Sequence, residues 1–117
     1  MPQDDNGNDL KNLTLEELHA TRNDMLRLEN LDAAKKAGEE TAKAYFGTLN
    51  AIQDTIRDLE NAELTKLVQE WRSHESAVRE GINDLKHARN AIGDVKTFLN
   101  VANKLLQVSG KVLAAIA

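Results

Sequence analysis

Two pairs of side chains have a spacing that could bind a metal ion. Glu16 and His19 lie three residues apart, and Asp84 and His87 repeat that spacing with a shorter acid. Helical di-iron proteins combine such pairs with further Glu residues that face a shared core. Here neither pair lies on an apolar face, further inward Glu residues are not evident, and Glu16 falls in a first helical turn, where an acid is favourable anyway. We therefore predict no metal site and no cofactor, and keep these four residues as an alternative that elemental analysis would test.

The sequence patterns of other chemistries are missing. The chain has no Cys, which excludes a thiol nucleophile, a Cys-ligated zinc ion and a disulfide framework. Its glycines occur singly, so it has neither a P-loop nor a G-x-G-x-x-G motif. Ser73 and His74 are adjacent, and neighbouring helical residues point in different directions, which prevents them from acting as a nucleophile and its base. We predict that the protein is not an enzyme and has no catalytic residue.

The composition indicates a helical chain, so any functional site is expected to be built on helices. Aromatic residues make up 3% of the 117 residues, charged residues make up 29%, and the single Pro is at position 2; this is typical of long helices. The net charge of −4 argues against nucleic acid as a partner. The start of the chain is acidic, and no apolar run approaches the roughly 18 residues that span a bilayer. We predict a cytoplasmic protein without a Sec signal or a transmembrane segment, and leave export by another route open.

The chain divides into a short polar segment and a helical domain. Residues 1–13 are predicted to be a disordered acidic segment, because they have few apolar side chains. Thr14 and Glu17 form a T-x-x-E capping box, which predicts the start of a helix. Residues 14–117 are then predicted to form a single α-helical domain. Gly38 either interrupts a helix or lies within a thin helical stretch, and the pattern does not decide between these.

Large apolar side chains recur every seven residues in the second half of the chain. They are Leu64, Trp71, Val78, Leu85, Ile92, Leu99, Leu106 and Leu113. The positions that complete the heptad are mostly small, as at Gly81 and Ala102. We predict an all-α fold, either an elongated antiparallel helical hairpin or a small bundle of three to four helices, with coiled-coil-like heptad packing. A continuous helix through Gly93 is favoured over a break there, and residues 64–116 would then span about 80 Å.

Charge is shared unevenly between the two halves. Residues 1–60 contain 13 acids and 7 bases, whereas residues 61–117 contain 6 acids and 8 bases. We predict that the acidic half packs along the basic half, although each exposed ion pair contributes little to stability.

The last helix carries the functional prediction. Residues 95–117 are apolar around most of the helix, and their only charged side chains are Lys, so we expect another surface to cover them. We predict a non-catalytic interaction or structural protein (an adaptor, an assembly subunit or a small inhibitor or immunity-type protein) that binds a second copy or another helical protein. The predicted interface residues are Trp71, Leu99, Val101, Leu105, Leu106, Val108, Val112 and Leu113. The alternative is a membrane-active helical protein, a component of a pore-forming or secretion system, that engages lipid through residues 95–117.

Overall fold

The computed structural model describes the backbone of residues 5–116 and the side chains of residues 10–63 and 65–116. Over this range the chain is helical apart from short connections, which confirms the predicted all-α class. The six helices are α1 (Asp5–Met25), α2 (Leu28–Lys36), α3 (Glu39–Asn61), α4 (Leu64–Arg72), α5 (Glu75–Arg89) and α6 (Val95–Ile116). The predicted hairpin or bundle of three to four helices is therefore wrong in its number of helices.

Two helix breaks occur at glycines that the sequence had singled out. Gly38 has a φ of +115°, a conformation that glycine adopts at little cost, and it separates α2 from α3. The second break surrounds Gly93, where α5 has ended and α6 has not begun. The backbone amide of Phe98 donates to the carbonyl of Asp94 at 3.0 Å, so Asp94 directly precedes the first turn of α6. The predicted continuous helix through Gly93 is wrong, because α5 ends at Arg89 with Asn90 as its C-cap, and α6 begins only at Val95.

A third break falls at Ser73 and His74, inside the heptad pattern. The backbone amide of His74 donates to the carbonyl of Trp71 at 2.9 Å and closes a turn between α4 and α5. Heptad positions on both sides of this break nevertheless stay in the core, since Trp71, Val78 and Leu99 are each at most 6% exposed although they lie on three different helices. The seven-residue spacing therefore predicted burial correctly from Trp71 to Leu99, whereas Leu106 and Leu113 are half-buried. Its prediction of a continuous helix is wrong.

Helix α6 buries its most apolar face inside the fold. It packs against α3, α4 and α5, and its buried residues are Val95, Phe98, Leu99, Ala102, Leu105, Ser109 and Val112. The molecule measures 48 × 26 × 19 Å and has a radius of gyration of 14.5 Å, close to the value of about 13 Å for a compact chain of this length. The prediction of an elongated molecule is wrong, because the helix breaks let the chain fold back and cover α6.

The first helix begins earlier than the capping box predicted. Helix α1 starts at Asp5, so the predicted helix start at Thr14 is wrong. The Thr14 hydroxyl donates to the carbonyl of Leu10 at 2.7 Å within the helix, and Leu10 is 1% exposed. Of the segment that was predicted to be disordered, residues 5–13 are helical, and residues 1–4 lie outside the described residues.

Candidate interaction surfaces

A charged cluster joins α1 to the last turn of α5. Arg89 Nε donates to Glu17 Oε2 at 2.7 Å, and Arg89 Nη2 donates to Glu17 Oε1 at 3.1 Å. Arg89 Nη1 donates to Asp24 at 3.0 Å, and the Thr21 hydroxyl donates to Glu17 at 3.1 Å. The side chain of Glu17 is 1% exposed and that of Arg89 is 23% exposed. These hydrogen bonds, above all those with Glu17, hold the pKa of the Arg89 guanidinium above its ordinary value.

The cluster is a structural clamp that the sequence analysis missed. The T-x-x-E pattern assigns Glu17 to a helix cap, yet Glu17 lies on the same face of α1 as the buried Leu10, Leu18 and Met25. That helical spacing was the available signal, because a carboxylate on a buried face needs a partner of opposite charge. The cluster also pairs an acid of the first half with a base of the second, as the uneven charge distribution predicted.

The predicted interface residues fall into two groups. Trp71, Leu99, Leu105 and Val112 are each at most 6% exposed, so they pack within the chain. Val101, Leu106, Val108 and Leu113 are half-buried beside the core. Trp71 also has a buried Nε1 atom without a hydrogen-bond partner among the described residues.

A groove runs between α5 and α6. It has a volume of about 230 Å³ and is lined by Ala77, Glu80, Gly81, Asp84, Val101, Lys104, Gln107 and Val108. The two helices approach closely here, because a Cβ atom on Gly81 would lie 3.2 Å from Leu105 Cδ1 and 3.6 Å from Leu105 Cα. Two half-buried residues of the predicted interface, Val101 and Val108, therefore lie in a groove with charged edges.

Three large apolar side chains are exposed at the junction of α1, α2 and α3. Leu26 is 48% exposed, Leu28 is 74% exposed and Phe46 is 37% exposed; we call these three residues the α1–α2 tip. The Tyr45 hydroxyl donates to the carbonyl of Met25 at 2.8 Å, and the Tyr45 and Phe46 rings are 5.7 Å apart. The hydrogen bond brings Tyr45, the chain neighbour of Phe46, to the end of α1. The exposure of Leu26 and Leu28 is not visible in the sequence, since their helical spacing resembles that of core residues.

The two pairs with metal-ligand spacing are not assembled into one site. His19 Nε2 is 3.9 Å from a carboxylate oxygen of Glu60, and His87 Nδ1 is 2.9 Å from the carbonyl of Asn83 in its own helix. Within the part of the chain that the structure describes, no group of three or more His, Asp or Glu side chains is arranged to hold a metal ion.

The membrane prediction concerns residues 95–117, of which the structure describes 95–116. No helix among the described residues combines the length and the apolar character that crossing a membrane requires. Phe98, Leu105 and Val112 of α6 are at most 1% exposed. Lipid contact through these side chains would require α6 to separate from its neighbours.

Comparison with known proteins supplies no relative for this chain. It matches no protein-family model, no curated protein and no solved structure.

Proposed function

We propose that the protein is a non-catalytic interaction protein, an adaptor, assembly subunit or small inhibitor, that binds a protein partner through the α1–α2 tip. The observation that carries the proposal is the exposure of Leu28 and Leu26, 74% and 48%, on either side of a tight turn. Leucines at this exposure leave apolar area in contact with water, and a partner with an apolar groove would remove it.

The proposal moves the contact surface away from the last helix. The sequence placed it on α6, but Leu99, Leu105 and Val112 already pack inside the chain. An interface needs apolar side chains that are free in the isolated molecule. The α1–α2 tip offers three such side chains, and its short connection holds Leu26 and Leu28 close together.

The test is partner capture from the native host with a variant of the tip. The double substitution Leu26→Ser and Leu28→Ser should leave the unfolding free energy nearly unchanged, because both side chains are exposed. We expect wild-type protein to enrich a specific partner that the double variant does not retain. The matched control is Lys35→Ser with Lys36→Ser, two exposed positions of α2. A partner that is lost equally with both pairs, or no partner that responds to the tip, would contradict the proposal.

The membrane-active alternative has one observation in its favour. Helix α6 has Lys96, Lys104 and Lys111 as its only charged side chains, and such a helix is attracted to anionic lipid. Co-sedimentation with anionic vesicles at low salt tests it. Binding that Lys-to-Glu substitutions in α6 abolish would support the alternative, and an absence of binding would refute it.

A further inference from the structure

The groove between α5 and α6 has an edge of each charge sign. Along α5 it is lined by the acids Glu80 and Asp84, and along α6 by Lys104. Ala77, Gly81, Val101 and Val108 contribute small or apolar surface between these edges. The two helices run antiparallel, because a connection of five residues joins them and Gly81 in mid-α5 contacts Leu105 in mid-α6.

The charged side chains of this groove are available for an external contact. Glu80, Asp84 and Lys104 are exposed, and among the described residues they make no ion pair, although each borders the same groove. By contrast, Arg79 on the same helix pairs with Glu75 at 2.8 Å. The groove thus separates unpaired acids from an unpaired base.

We propose that a second copy of this chain docks on the α5–α6 groove about a two-fold axis that runs parallel to the groove. That axis places α5 of one copy over α6 of the other, so the acids of each copy face Lys104 of the other. A two-fold axis in the interface but perpendicular to the groove would place α5 against α5 and bring four acids together. Charge complementarity therefore selects both the occupant and the orientation, because an isologous contact must match a surface with itself.

The contact is expected to be weak and reversible. Exposed ion pairs each contribute little to the free energy of association. The groove is lined by eight residues, fewer than the roughly 20–30 that each partner contributes to a standard stable interface. The charges set the orientation, while close approach over Ala77 and Gly81 supplies the packing. This surface is separate from the α1–α2 tip. A variant of the groove can therefore lose self-association and still bind a partner through the tip, and the reverse also holds.

Charge-swapped variants test the proposal by sedimentation equilibrium over a series of concentrations. Lys104→Glu alone should weaken self-association at least about tenfold, because the two-fold axis applies the change twice. The double variant Glu80→Lys with Asp84→Lys should show a similar loss of self-association. An equimolar mixture of these two proteins should associate at least as tightly as wild type, since every facing pair is again opposite in charge.

A control separates this effect from a change in net charge. Lys96→Glu changes the net charge from −4 to −6, as Lys104→Glu does, but Lys96 lines a different groove, against α3. It should leave self-association close to that of wild type. Wild type that remains monomeric at the highest concentration, or two variants that do not associate when mixed, would overturn the proposal.

Discussion

Removal of the Arg89 side chain should be the most damaging charge substitution in the protein. Arg89→Met leaves the Glu17 carboxylate, 1% exposed, with the Thr21 hydroxyl at 3.1 Å as its remaining partner in the cluster. Breaking a buried ion pair from one side costs about 3–5 kcal/mol. Because Arg89 is 23% exposed, we take the lower end, about 3 kcal/mol. With an unfolding entropy of about 2.1 cal/mol/K per residue, this lowers the Tm by about 12 °C.

The matched control lies on the same helix. Arg79 pairs with Glu75 at 2.8 Å, but both side chains are more than 40% exposed, so Arg79→Met should cost at most about 0.5 kcal/mol. Thermal and urea unfolding, followed by far-ultraviolet circular dichroism and the fluorescence of the single Trp, measure both variants.

A double-mutant cycle separates the pair from its surroundings. Glu17→Met with Arg89→Met removes both charges, and it should be less destabilising than the sum of the two single substitutions. If Arg89→Met costs no more than Arg79→Met, or if the two single substitutions simply add, the reasoning about a buried carboxylate is refuted.

Two further predictions concern titration and glycine packing. Burial, followed by the charge of Asp24, raises the pKa of Tyr45 from 10.0 to about 12. The folded pKa exceeds the unfolded one, so the stabilisation that the protonated Tyr45 hydroxyl contributes is complete below pH 10 and is lost as the pH rises through about 12. Absorbance of tyrosinate reports it directly because the chain has one Tyr; Tyr45→Phe should lose this dependence, and titration near pH 10 would contradict it. Gly47→Ala should stabilise α3 by up to about 1 kcal/mol, since no atom lies within 4 Å of the added Cβ. Gly81→Ala should increase the free energy of unfolding by less, because its Cβ would lie 3.2 Å from Leu105 Cδ1. Urea unfolding compares the two variants, and an equal increase for both would contradict the prediction that Leu105 opposes the added methyl group.

Residue periodicity predicted the core well and the helix boundaries poorly. Trp71, Val78 and Leu85 are fully buried, as the heptad spacing indicates. The turn at Ser73 and His74 has no Gly or Pro, so no local signal marks it. A seven-residue spacing continues across a short turn as readily as along a helix, because it records which side chains are buried and not how the backbone connects them.

The candidate sites also combine features that the sequence predicts with features that only the fold determines. The apolar character of α6 was visible in the sequence, but its covering by α3, α4 and α5 was not. The pairing of Glu17 with Arg89 joins positions that are 72 residues apart, a distance at which local spacing carries no information. The exposure of Leu28 is likewise a property of its place at a turn in the fold.

The sequence by itself determined that this protein is helical and which positions are apolar enough to be buried, because helix propensity and residue periodicity are local properties. The tertiary structure decided where the helices end and which apolar faces remain outside. Folding back at Gly38, Ser73 and Gly93 buries apolar area that a long helix would leave in water, and this gain depends on packing between distant segments. For that reason the most apolar face of the last helix packs inside the chain, and large apolar side chains remain exposed at the α1–α2 tip.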